Sequence, residues 1–341
     1  MTDTQITTEQ GFPEEIQELS QKDFIVFAGT GCVQGSGIPP WVTLLERLQG
    51  LCEEDEIKKE NITDLDEALY PNFAQKVYDY LLKNARESEY FETIKSVIHA
   101  SNSRYTGQQI DIVRCSGKII TTNFDDTFEQ AMTVIRGPEN IQIQLLPYLD
   151  TMKLGEDKSI SYLHGRTRER DVVLKTNDYK LFYPSVSLER YEGDTSDELE
   201  SFLKHIWEKR TLVFIGFSFA DKYILRFFLR LSENLKRKEN AHRQWKEKYQ
   251  KKTDQAQHYA FLPDVELLHK EKRNISNDKD LSSKENEELR IETERKIKRI
   301  DEQLKIARIK TIRYSEPRKY TEWLNKICEL REKNKNIYGY K

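Results

Sequence analysis

Apolar residues along the chain fall into two patterns whose alternation predicts the architecture. Compact runs occur at Phe24 to Ala28, Ile119–Ile120, Ile160 to Leu163, Val172 to Leu174 and Leu212 to Ile215. Each is strand-sized, and most lead into turn or polar residues, so they predict buried strands. Tyr259 to Leu262 and Thr311 to Tyr314 predict edge strands. Elsewhere the apolar positions recur at three- and four-residue steps, as in Leu65, Leu69, Phe73, Val77, Tyr80 and Leu81, or Phe91, Ile94, Val97 and Ile98. These predict helices with one apolar face. Pro39 and Pro40 start another, with Leu44, Leu45 and Leu48 on one side. Helices between apolar strands imply an α/β protein with a doubly wound, mostly parallel sheet.

The same pattern organises the chain into a polar N-terminal arm (1–20) and one domain (21–341). The domain is expected to carry a helical insertion at about 50–110 and a charged helical hairpin at about 231–305. Within the hairpin, residues 232–256 hold eight Lys/Arg and four Asp/Glu, while Ile297, Ile300 and Leu304 keep helical spacing. A solvated decoration of the sheet explains this better than a nucleic-acid patch. The cluster Lys236, Arg237 and Lys238 is too short to decide for nucleic acid.

Composition narrows the classes further. Over 341 residues, 55 Lys+Arg against 58 Asp+Glu leave a net charge of −3, so no global basic excess invites nucleic acid. With 15 Phe, 17 Tyr and 4 Trp the chain can build a core despite 33% charged residues. No apolar run approaches the roughly 18 residues of a membrane span. The first five residues lack the regions of a signal peptide. Four cysteines, at 32, 52, 115 and 328, include no Cys-x-x-Cys pair. That argues against a zinc ribbon and for a reduced, cytoplasmic protein without a disulfide framework or a metal.

The candidate chemistry lies where the predicted strands end. The first runs into Gly29-Thr30-Gly31-Cys32-Val33-Gln34-Gly35-Ser36-Gly37-Ile38-Pro39-Pro40-Trp41. Such a glycine turn before a helix suits a pyrophosphate, because backbone N–H groups can approach closely. It matches neither the dinucleotide fingerprint nor a P-loop in full. The second strand ends in Thr121-Thr122-Asn123-Phe124-Asp125, the third in His164-Gly165, and the Leu212 to Ile215 strand in Gly216-Phe217-Ser218, with Asp221 beyond. Alone, each has an ordinary explanation as a turn or cap. Together, an amide, an imidazole, glycines and a hydroxyl would meet in one crevice beyond the carboxyl ends of a parallel sheet.

This ordered set resembles the sirtuin-like (SIR2-like) family of NAD-consuming proteins. The glycine loop is similar to the family's Gly-Ala-Gly-x-Ser-x-x-Ser-Gly-Ile-Pro, Thr122, Asn123 and Asp125 to its polar-Asn-x-Asp, His164-Gly165 to its His-Gly, and Gly216 and Ser218 to its Gly-x-Ser. Pro40-Trp41, Thr121 to Asp125, and Gly216 to Asp221 are similar to the bacterial anti-phage defence branch, as is Thr176 to Tyr179. The likeness spans roughly residues 20–230, and the closing strand and helix near 311–330 fit the family's end. Thr30 replaces the usual Ala, Val33 the usual Ser, Thr122 the deacylases' Gln, and Pro40-Trp41 their Asp-Phe-Arg. The deacylases' Cys-pair zinc module is missing, so protein deacetylation is not expected.

What the resemblance implies is a Rossmann-like fold and NAD+ glycohydrolysis, with NAD+ as the substrate. Asn123 would bind the ribose hydroxyls or position water, His164 would be the general base, and Asp125 would orient both. Gly29, Thr30 and Gly31 would hold the pyrophosphate, and Gly216 and Ser218 the adenosine half or its phosphates. Trp41 either walls the nicotinamide pocket or anchors a helix, and Asp221 either binds the adenosine ribose or, by preference, caps a helix. The branch implies homo-oligomers, a HerA-type ATPase or an Argonaute-like partner, and no membrane. Competing classes are a non-catalytic NAD or ADP-ribose-binding or scaffold subunit, and an ADP-ribosyltransferase.

Overall fold

A computed structural model describes residues 12–99, 103–167, 172–183, 198–246, 257–275 and 283–338. Most of the polar arm (1–11) and two stretches of the charged segment (247–256 and 276–282) lie outside the described residues. Seven strands form one sheet: β1 (Phe24–Ala28), β2 (Lys118–Thr121), β3 (Gln142–Leu145), β4 (Ser159–Tyr162), β5 (Thr211–Ile215), β6 (His258–Pro263) and β7 (Ile309–Tyr314). Their spatial order is β3-β4-β2-β1-β5-β6-β7, and every pair is parallel. All five residues of β1 are buried, as a strand covered on both faces requires. Ile25 and Phe27 face one core, Phe24, Val26 and Ala28 the other, following the two-residue period of a strand.

Helices α1 (Glu14–Ser20), α6 (Gly107–Cys115), α7 (Thr127–Arg136) and α13 (Pro317–Tyr338) cover one face of the sheet. The other face is covered by α8 (Thr176–Phe182), α9 (Glu198–Lys209), α10 (Lys222–Lys246) and α12 (Ser283–Ile306). Helices α2 (Trp41–Gln49), α3 (Asp55–Lys58), α4 (Tyr70–Lys83) and α5 (Glu87–His99) build a third, separate core around Phe73, Val77 and Ile94. The last helix, α11 (Val265–Ile275), packs on α12. Among the described residues, no helix is long and apolar enough to cross a membrane.

The doubly wound sheet is as expected, with four corrections in detail. β3 goes unpredicted because Gln142-Ile143-Gln144-Leu145 has no apolar run; it is an edge strand with Ile143 exposed. Val172 to Leu174 is not a strand: Val173 N–H donates to His164 O at 2.9 Å, and the segment buries Val172 and Leu174 in the insertion core and Val173 in a sheet core. Serving two cores explains its unbroken apolar run. The Tyr259 to Leu262 strand is internal, since β6 lies between β5 and β7. That strand also interrupts the charged segment, so α10 and α12 are crossover helices rather than arms of one hairpin.

Strands β2 and β5 flank β1 on opposite sides. The chain therefore reverses its direction of sheet-building at β1, and the crevice for a ligand opens at the carboxyl ends of these central strands.

Candidate active site

Strand register brings the four motifs together. Ala28 pairs with Thr121 on one side and Ile215 on the other, and Thr121 pairs with Tyr162. His164, Asn123, the glycine turn and Gly216 thus leave four adjacent strands side by side, two residues or fewer beyond the last paired rung.

The glycine turn and the β5 turn interlock through their backbones. Gly29 N–H donates to Ile215 O at 3.0 Å and Gly31 N–H to Gly216 O at 2.9 Å. A Cβ on Gly29 would lie 2.4 Å from Gly216 O, and one on Gly216 (φ +62°) 2.4 Å from Cys32 N. Only hydrogen fits as the side chain at Gly29, Gly31 and Gly216. This corrects the expectation that Gly29 and Gly31 offer their own amides to a pyrophosphate: both amides already have carbonyl partners. Thr30 stands exposed at the crest between them, and Ser218 is exposed on the facing turn, 3.4 Å from a Glu67 carboxylate oxygen.

Asn123 is 3% exposed. Its backbone N–H donates to Thr121 Oγ1 at 3.0 Å, and Thr121 Oγ1 in turn donates to Ala28 O at 3.1 Å. The side-chain Nδ2 donates to Gly29 O at 3.2 Å, while Oδ1 is buried with no partner. The amide is therefore held with its acceptor free. An unsatisfied buried acceptor costs about 1–3 kcal/mol, which a ligand hydroxyl or water would recover.

His164 is 2% exposed, and its Nδ1 is likewise buried and unpartnered. Its Nε2 lies 3.3 Å from Tyr183 Oη and 3.8 Å from Asp221 Oδ2. Tyr179 and Tyr183 pack edge-on to the imidazole, with centroids at 5.3 and 6.3 Å, and Tyr179 stacks on Tyr223 at 4.5 Å. Burial pushes the His164 pKa below its ordinary value, opposed by the Asp221 and Asp178 charges. The ring is neutral at physiological pH, with one nitrogen a donor and the other an acceptor. Burial also pushes the Tyr179 and Tyr183 hydroxyls well up, so both keep their protons.

The carboxylate beside this histidine is Asp221, not Asp125. Asp221 does cap α10, its Oδ1 accepting from Tyr223 N at 2.9 Å and Ile224 N at 3.1 Å. Its Oδ2 does something further, accepting from Tyr179 Oη at 3.0 Å and facing His164. Asp125 Oδ1 accepts from the N–H of Thr127 at 3.0 Å and from its hydroxyl. Gln109 Nε2 donates to that hydroxyl at 2.5 Å. Asp125 thus shapes the turn that carries Asn123, and burial raises its pKa. Thr122 is buried, its N–H donating to Ala28 O at 3.4 Å. Trp41 is half-buried at the start of α2 against Phe124, with centroids 5.7 Å apart, which anchors that helix.

Two neighbours of His164 escape a reading of the sequence. Tyr183 carries no motif, and only its position at the end of α8, four residues after Tyr179, connects them. The second contact of Asp221 is hidden because capping already explains an Asp before a helix. A small depression lies between α5 and the β4–α8 segment, lined by Phe91, Glu92, Ile94, Lys95, Thr167 and Val172. Neither Asn123 nor His164 lines it.

The family model for the SIR2-like domain matches residues 117–287, half of the chain. The chain belongs to the SIR2-like family. The matched span holds Asn123, His164, Gly216, Ser218 and Asp221 and begins after the glycine turn. The glycine turn is tied to that span by its interlock with Gly216. SIR2-like domains point to NAD-related activity in general. No curated protein matches the chain.

Proposed function

We propose that this SIR2-like protein is an NAD+ glycohydrolase, releasing nicotinamide and ADP-ribose. The observation that carries the reading is the pair of buried, unpartnered polar atoms, Asn123 Oδ1 and His164 Nδ1, on neighbouring strand ends. The bond from ribose C1′ to the cationic nicotinamide breaks through an oxocarbenium-like transition state, as in glycoside hydrolysis. Nicotinamide departs neutral and needs no general acid. Asn123 Oδ1 accepts from a ribose hydroxyl or the incoming water. Water forms the new bond to C1′ and gives its proton to His164 Nδ1. Asp221 favours the imidazolium that results.

Thr30 and Ser218, on facing turns, contact the phosphates and adenosine half, with Gly29, Gly31 and Gly216 keeping those turns close. Trp41 borders the nicotinamide end, and Thr122 and Asp125 hold the Asn123 turn in shape. Because both reacting side chains are buried, substrate must displace part of the aromatic cover over His164. Such closure suits a hydrolase that would drain cellular NAD+ if unrestrained. On the resemblance of Thr121 to Asp125 and Gly216 to Asp221 to the defence branch, we place the activity in anti-phage abortive infection in the cytoplasm. Self-assembly, or a HerA-type ATPase or Argonaute-like partner, would be the trigger.

The test is to incubate purified protein with NAD+, alone and with candidate partners, and identify products by mass. Free ADP-ribose equal to nicotinamide supports hydrolysis. ADP-ribose attached to protein or nucleic acid would indicate transfer, and bound, intact NAD+ a sensor.

A further inference from the structure

We propose that Cys115 and Cys328 form an oxidisable dithiol that closes to an intramolecular disulfide and clamps α13 to α6. All four cysteines are unbridged in the structure, yet these two sulfurs lie 2.6 Å apart. A disulfide needs about 2.05 Å, so closure asks for well under 1 Å of movement. The residues are 213 positions apart in sequence, at the end of α6 and late in α13. Both helices cover the same face of the sheet, remote in the fold from the polar strand ends.

The two thiols are differentiated in the way an exchange pair requires. Cys115 is buried, its Sγ 2.8 Å from Leu324 O, and hydrogen bonding to Cys328 together with burial pushes its pKa up. Cys328 is half-exposed, and the hydrogen bond it shares with Cys115 and the Arg331 charge hold its pKa down. Arg331 is fixed there by donating to Cys115 O at 2.6 Å. An accessible sulfur with thiolate character beside a guanidinium is the one a small oxidant meets first.

With hydrogen peroxide as oxidant, the Cys328 thiolate attacks one oxygen. The O–O bond breaks, an S–O bond forms, and the departing hydroxide is protonated to water. The Cys115 sulfur, losing its proton, then attacks the Cys328 sulfenic acid. The S–O bond breaks, the S–S bond forms, and a second water leaves. Two thiols lose two electrons in all, and one peroxide becomes two waters.

The experiment compares full-length protein treated with hydrogen peroxide with the same protein kept in dithiothreitol. Both are alkylated under denaturing conditions, peptide-mapped and melted. The expected result is that two of the four cysteines resist alkylation, that one linked peptide pair joins positions 115 and 328, and that the melting midpoint rises by roughly 5 °C. Both changes should vanish in Cys328→Ser, a half-exposed position that tolerates the exchange. Should Cys328→Ser misfold, the peptide map of the unaltered chain decides alone. Four alkylated cysteines, a Cys328 sulfinic acid beside a free Cys115, a dimer joined through Cys328, or a link without a higher midpoint would each overturn the proposal.

Discussion

At the residue scale, the direction in which the Asn123 amide points carries the mechanism. Gly29 O takes its Nδ2 hydrogen, and Oδ1 is left without a partner, the acceptor on which the proposed reaction draws. Asn123→Ala and His164→Ala are each expected to lower NAD+ turnover by about 10²-fold or more while the circular-dichroism spectrum stays native. The pH dependence follows from the direction of the His164 shift. Burial lowers its pKa, so the base is free throughout neutral pH, and kcat/KM should fall only below its ordinary value of 6.5. Asp221 favours the protonated ring, so Asp221→Asn should move that acid limb to still lower pH and reduce kcat. A pH profile of the variant checks this, and an unmoved limb would mean that Asp221 serves only α10.

At the scale of elements, the interlocked β1 and β5 turns are the most demanding contact. Gly29→Ala must part them, because its Cβ would lie 2.4 Å from Gly216 O. Overpacking of this kind costs about 1–3 kcal/mol, to be read from denaturant midpoints. A second element-level prediction concerns β6. His258 stacks on Trp207 with centroids 3.8 Å apart and accepts Leu212 N–H at 3.2 Å. Burial lowers its pKa from 6.5 to about 3. The unfolded chain thus binds a proton that the folded chain refuses between those values. This stabilising term is complete above pH 6.5 and is lost as pH falls towards about 3. His258→Asn, which keeps an acceptor and does not titrate, should flatten the acid loss of stability in that window. The strand itself is legible in the sequence, but its central place is not: chemically similar apolar runs become internal or edge strands according to partners far along the chain. β3 is illegible because an edge strand needs few apolar residues, and Gln144 is accommodated by bonding to Ser161 and to the Asp150 backbone.

At the scale of the molecule, one parallel sheet holds amide, imidazole and glycines on four neighbouring strand ends. That convergence is legible in advance because each motif sits directly after a strand, and parallel strands all end at the same edge. The tyrosine cover and Asp221 are a different matter. They reach His164 only because α8 and α10 pack against the same core, a contact between segments that no local pattern encodes. The most direct test of the account is nicotinamide release from NAD+ by the full-length protein, run beside Asn123→Ala and His164→Ala under identical conditions. The account predicts equal amounts of nicotinamide and free ADP-ribose from the unaltered chain, and a loss of at least about 10²-fold in both variants. Undiminished release from either variant would contradict it.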